Sequence, residues 1–165
     1  MIGKDELVKW LRIIDKKLRQ KLTLIAVGGT AMTLLGLKSS TIDIDFCIAS
    51  KDKKAFEQVV DNKFNIDIFV DGYIFSEQLP DDYAEKSKEI AQLNKITLKA
   101  LHPIDIIITK AARFNARDEE DIKTASKYVN KEELVKRFKN VVKTYSGNEE
   151  DYQRNFEVIV KRFFS

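Results

Sequence analysis

A mixed α/β (α+β) fold, with a small mixed β-sheet, helices on one face of it and a helical C-terminal part, is what this sequence predicts. Three observations predict it. Short apolar or alternating runs rich in β-branched and aromatic residues occur at 22–27, 41–48 and 64–70. Helical periodicity lies before and between them, and from Pro103 onward the patterning turns wholly helical. At 165 residues the chain can form one domain with a real core, or a small α/β unit carrying a helical appendage.

Taken in order, residues 5–20 put Leu7, Trp10, Leu11, Ile14 and Leu18 at helical spacing with Lys and Arg opposite, an amphipathic helix. LTLIAV (22–27) reads as a buried strand ending at Gly28-Gly29. TAMTLLGL is a short helix whose Gly36 suits a left-handed C-terminal position. TIDIDFCI (41–48) and FNIDIFV (64–70) alternate as strands do, with KDKKAFEQVVDN between them as a crossover helix. EIAQLN and KITLKAL form a hairpin or strand pair, and helices follow at 103–115, 118–128, 131–145 and 149–164. The change of pattern divides the chain into an α/β core, 1–102, and a helical part, 103–165.

With 44% hydrophobic and 33% charged residues, the chain reads as globular. A net charge of +3 and a pI near 8.8 tolerate an anionic ligand without demanding one. No signal peptide and no apolar run of about 20 residues is present, so a cytoplasmic location is expected. The single cysteine, Cys47, excludes an internal disulfide and cannot form a zinc site with the lone His102.

The chemistry lies in the aspartates. Strand side chains alternate, so Asp43 and Asp45 share a face about 7 Å apart, leaving Ile42, Ile44 and Phe46 for the core. The same parity sets Asp67 against Ile66, Ile68 and Val70. If the two strands are neighbours, three carboxylates converge, and like charges that close call for a cation, Mg²⁺ or Mn²⁺ for hard oxygen ligands. A single such Asp is ordinarily just an outward-facing residue on the wet side of a sheet; three at matched parity after a Gly-Gly-Thr point to a site. Cys47 shares that face by parity and reads as a small packing residue.

Gly28 and Gly29 fall where a strand meets a helix. Missing side chains there let backbone N–H groups approach an anion. Thr30 is a candidate N-cap whose hydroxyl could instead reach a phosphate oxygen.

These residues resemble the DNA polymerase β-like nucleotidyltransferase superfamily, which carries a Gly-Ser or Gly-Gly turn, a short helix, Asp-x-Asp on a strand and a third Asp on a neighbouring strand. The likeness extends to its stand-alone and abortive-infection toxin-like subgroup through VGGTAM, Thr41-Ile42-Asp43-Ile44-Asp45-Phe46, Lys110 in DIIITKAAR, and Arg117-Asp118-Glu119-Glu120-Asp121. It covers about residues 22–125. The superfamily often has Ser after the first Gly; here Gly29 is followed by Thr30.

The resemblance implies an ATP-binding or other NTP-binding, metal-dependent enzyme that moves NMP to a hydroxyl acceptor. It assigns Asp43, Asp45 and Asp67 as catalytic metal ligands for two Mg²⁺ (or Mn²⁺) ions, with Asp67 on the acceptor side. Gly28, Gly29, Thr30 and Lys110 would bind nucleotide; Thr41, Arg113, Arg117, Asp118 and Asp121 are further candidates. Lys110, Arg113 and, if the helix continues, Arg117 lie opposite the stripe of Ile104, Ile107, Ile108, Ala111 and Asn115. Taken alone, a basic stripe is ordinarily a solvated face, and Asp118 with its acidic neighbours is equally an N-cap and first turn. His102 reads as a helix-entry residue.

Lys131, Lys136, Arg137, Lys139 and Lys143 give the C-terminal part an open basic surface. With no second α/β domain in the chain to enclose a small acceptor, RNA (tRNA foremost) or a protein hydroxyl is expected, in a toxin–antitoxin or defence setting. The competing expectations are a catalytically inactive binding protein or antitoxin-like partner, and a nucleic-acid-binding domain. The second is weakened by interleaved acids and few aromatics.

Overall fold

The computed structural model describes residues 1–74 and 77–164. In chain order the elements are α1 (Lys4–Lys17), β1 (Leu22–Ala26), α2 (Gly28–Leu34), β2 (Ile44–Ile48), α3 (Ser50–Glu57), β3 (Ile66–Val70), β4 (Tyr73–Ile74) and β5 (Glu77–Gln78). They continue with α4 (Tyr83–Lys86), β6 (Lys88–Gln92), β7 (Ile96–Ala100), α5 (Pro103–Arg113), α6 (Ala116–Ser126), α7 (Lys131–Val141), a 3₁₀ turn (Val142–Thr144) and α8 (Glu149–Phe163). The chain forms two units, one of Met1–Asp71 with Ala84–Leu101 and one of Gly72–Tyr83 with His102–Ser165. The segment 72–83 thus belongs with the helical unit, although it precedes the last two strands of the other.

The first unit is a mixed sheet in the order β3-β2-β1-β7-β6. β2 and β3 are parallel, as the α3 crossover requires, and so are β1 and β7; β1 with β2 and β6 with β7 are antiparallel. Directly opposite residues share a face, so the register sorts the side chains. Leu22, Leu24, Ala26, Ile44, Phe46, Ile48, Ile96, Leu98 and Ala100 form one face and are buried. α3 covers that face with Phe56, which meets Phe46 edge-on at 6.1 Å. The other face carries Thr23, Ile25, Asp45, Cys47, Asp67, Thr97 and Lys99. Cys47 is buried there, as a packing residue would be.

α1 buries Leu7, Trp10, Leu11 and Ile14. Trp10 stacks edge-on against Phe64 at 5.3 Å, and its indole N–H donates to Asp61 at 3.0 Å. On the same stripe, Asp15 accepts the backbone N–H groups of Asn94, Lys95 and Ile96 at 3.2, 2.7 and 2.8 Å, closing the β6–β7 hairpin. Three amide donors satisfy a carboxylate that burial would otherwise penalise.

Two sequence expectations shift here. β2 begins at Ile44, not at Thr41: Thr41 makes an isolated bridge to Ile2, and Ile42 and Asp43 form a bend. Ile42 is therefore 57% exposed and takes no part in the core. α2 begins at Gly28 with Val27 as its N-cap, which places Thr30 inside the first turn. Gly36 adopts the left-handed conformation expected of it, at φ 77°.

In the helical unit, α5 to α8 enclose Ile104, Ile107, Ile108, Ala111, Ile122, Leu134, Phe138, Tyr152, Phe156 and Ile159. Pro103 occupies the first turn of α5, and the His102 ring Nδ1 accepts the Ile104 N–H at 3.0 Å, the helix-entry role its position suggests. α5 stops at Arg113 because Phe114 turns left-handed, at φ 43°. Asn115 then caps α6 in a capping box with Asp118. Asn115 is thus not part of the α5 stripe, Arg117 belongs to the next helix, and Asp118 is the third helical residue rather than the N-cap. Among the described residues, no helix is long and apolar enough to cross a membrane.

Candidate active site

The parallel register of β2 and β3 sets Asp45 directly opposite Asp67. Neighbouring strands lie about 4.8 Å apart, so the two carboxylates leave the same sheet face side by side. Asp45 is half-buried and Asp67 exposed. Asp43 stands outside the ladder, on the bend before β2, so strand parity does not govern its direction; its Oδ1 accepts the Asn65 side-chain N–H at 3.2 Å.

The glycine turn adjoins Asp45. Gly28 is left-handed at φ 56°, and a Cβ on it would lie 3.5 Å from Asp45 Oδ2. A Cβ on Gly29 would lie 3.1 Å from the Thr41 hydroxyl. The turn therefore runs against the acidic residues with no room to spare at Gly29. Thr30, fully buried, donates its hydroxyl to the Asp43 carbonyl at 3.1 Å and accepts the Asp45 N–H at 2.9 Å. Thr41 donates to the same Asp43 carbonyl at 2.8 Å. Both functions of the Thr30 hydroxyl are thus occupied within the protein, and it neither caps α2 nor faces outward.

The donor set is oxygen only, which suits a hard divalent cation. Among the described residues, no group of three or more His, Cys, Asp or Glu side chains stands assembled as a metal cage. Mg²⁺ does not require one. It is commonly held by one or two carboxylates, with substrate phosphates and water completing the octahedron. Asp45 and Asp67 stand as two neighbouring carboxylates on one face, and Asp43 is two residues from one of them.

The remaining candidates lie in the helical unit and form their own cluster. Lys110 Nζ sits 2.9 Å from Asp121 and 3.4 Å from Asp118. It is only 7% exposed, so it does not lie on the solvated stripe that helical spacing suggests. Arg113 grips Asp118 with two hydrogen bonds, 2.7 and 2.6 Å, across the α5–α6 corner. Burial, the largest influence, pushes the Asp118 pKa up. The Arg113 hydrogen bond, the Lys110 charge and the Asn115 amide outweigh it and hold the group below its ordinary 3.8. Arg117 is exposed on α6.

Two buried acids escaped the sequence reading. Asp15 was detectable as an acid on the apolar stripe of α1, four residues after Leu11. Asp105, inside PIDIII, is fully buried and bridged by Arg137 at 3.0 and 2.8 Å. Arg137 also binds Asp82 at 2.9 Å, so it is an internal strut and not part of an open basic surface.

The family model described as a nucleotidyltransferase of unknown function (DUF6036) matches residues 5–164, and the chain belongs to that family. The match includes the N-terminal helix and the last forty residues, which the motif resemblance left unassigned. No curated protein and no solved structure matches the chain.

Proposed function

We propose that this nucleotidyltransferase moves an NMP group from an NTP to a hydroxyl on RNA, with tRNA the foremost acceptor. The observation carrying the site is the side-by-side placement of Asp45 and Asp67, with Gly28 packed against Asp45. Asp45 and Asp67, with Asp43, would hold the cation, and the backbone of the glycine turn would face the triphosphate. A bound Mg²⁺ or Mn²⁺ would neutralise the triphosphate and lower the pKa of the acceptor hydroxyl. Asp67, the more exposed carboxylate, takes the hydroxyl proton. The acceptor oxygen forms a bond to the α-phosphorus, the bond to the bridging oxygen breaks, and pyrophosphate leaves with its electron pair. Positioning and electrostatics supply the catalysis.

The resemblance also gives Lys110 to the triphosphate. Its ammonium is engaged by Asp118 and Asp121 within the helical unit.

The acceptor reading rests on α7 and the turn after it, where Lys131, Lys136, Lys139 and Lys143 are exposed. Such a row suits a phosphate backbone. The toxin-like subgroup that the motifs resemble would make this a defence or toxin–antitoxin enzyme. Incubation with each labelled NTP, Mg²⁺ and separated tRNA, protein and small-molecule fractions tests the reading. Label on tRNA, falling steeply with salt, is the expected result. Label only on a protein or a small hydroxyl compound would overturn the acceptor.

A further inference from the structure

The two sequence segments that define the site, Gly28-Gly29-Thr30 and Thr41 to Asp45, are tied together by hydrogen bonds that leave no obvious role for Thr30 in ligand contact. The Asp43 carbonyl accepts from both Thr30 and Thr41, at 3.1 and 2.8 Å. Two lone pairs receive two donors, so this oxygen is fully used. The Asp45 N–H donates to Thr30 at 2.9 Å, and the Asp45 carbonyl accepts the Val27 N–H at 3.0 Å. Both ends of the Asp43–Asp45 segment are therefore held from the strand–helix junction that carries the glycines.

Asp43 precedes β2, and the two threonine hydroxyls hold its carbonyl where the ladder does not. A threonine serves at position 30 because the same hydroxyl must donate to one peptide and accept from another. Valine would fill the space and lose both bonds. Gly29 acquires a second explanation: its missing Cβ is what lets the Thr41 hydroxyl approach, since that Cβ would press to 3.1 Å of it.

We propose that Thr30 and Thr41 are positioning residues that aim Asp43 and Asp45, with Gly29 making room for Thr41, and that none of the three side-chain positions contacts nucleotide. The inference rests on the reading of Asp43 and Asp45 as cation ligands. Misplacing a carboxylate ligand by loss of its supporting hydrogen bonds costs about 10–100-fold in metal affinity.

The test uses the full chain, labelled for NMR and titrated with Mn²⁺ alone. Paramagnetic broadening of the Asp43, Asp45 and Asp67 amides reads cation binding, and hydrogen exchange of the Asp45 amide reads the clamp. Thr30→Val should exchange Asp45 faster and weaken Mn²⁺ binding by roughly 10–100-fold, while Thr30→Ser, which keeps the hydroxyl, restores both. Should Thr30→Val fail to fold, Thr41→Val provides the same comparison at the more accessible end, with weakened Mn²⁺ binding expected. Faster Asp45 exchange with Mn²⁺ affinity unchanged would make the hydroxyls merely structural and overturn the inference alone. No broadening in the wild-type protein would overturn the cation reading, and this inference with it.

Discussion

Asp45 and Asp67 face each other across the parallel ladder of β2 and β3, two like charges where a sheet ordinarily pairs opposite or apolar side chains. Such a pair costs stability unless something cationic stands between its members.

Replacing one carboxylate should therefore stabilise the cation-free protein. With a chelator present, Asp67→Asn is expected to gain about 0.2–1 kcal/mol, seen as a rise in Tm of about 0.4–4 °C. Mg²⁺ should raise the Tm of the wild-type protein more than that of the variant. A drop in Tm for Asp67→Asn would show that the carboxylate is a structural partner.

The two acids should separate kinetically. Asp45→Ala, next to the glycine turn, is expected to abolish transfer and weaken NTP binding together. Asp67→Asn, which removes the proposed base, should lower kcat by about 10²–10⁴-fold with a smaller change in nucleotide Kd. Single-turnover kinetics with separate binding titrations would distinguish them; equal losses in both would reverse the roles.

Asp118 makes stability pH-dependent. Its folded pKa lies below the ordinary 3.8, so its contribution is present above that value and is lost as pH falls from there through the folded pKa. Asp118→Asn should remove this part of the acid sensitivity. It should also cost roughly 1.5–3 kcal/mol at neutral pH, because the charge-assisted bonds from Arg113 are lost while Lys110 keeps Asp121. Urea unfolding between pH 7 and 2.5 measures both effects.

The Asp105–Arg137 bridge gives a cleaner cycle. Arg137→Met removes the guanidinium from a fully buried carboxylate and should destabilise by about 3–5 kcal/mol. Adding Asp105→Leu should recover most of the loss, since a buried pair is often replaceable by apolar side chains of similar volume. Chemical denaturation of the two single variants and the double variant gives the coupling.

Much of the fold was legible from the sequence because it is written in local periodicity. The 3.6-residue stripe of Leu7, Trp10, Leu11 and Ile14 specifies α1 without reference to anything distant. Alternation in IDFCI and IDIFV specifies strands in the same way, and Gly36 marks the end of α2 through its own φ. Proline at 103 starts α5 from within its first turn, as its position suggests.

What escaped the reading depends on residues far apart in the chain. Alternation gives Asp45 and Asp67 matching parity, but only the parallel pairing of β2 with β3 sets them directly opposite each other. Nothing local says that Thr30 binds two peptides of the segment beginning thirteen residues later, or that Asp105 waits for Arg137. Helical spacing put Lys110 on a wet face, but the left-handed turn at Phe114 folds α6 back and brings Asp118 and Asp121 over it. The sequence by itself determined the main helices and central strands, the matching parity of Asp45 and Asp67, and the glycine turn. The tertiary structure alone decided which polar groups meet, because a polar group leaves water only where packing brings it a partner.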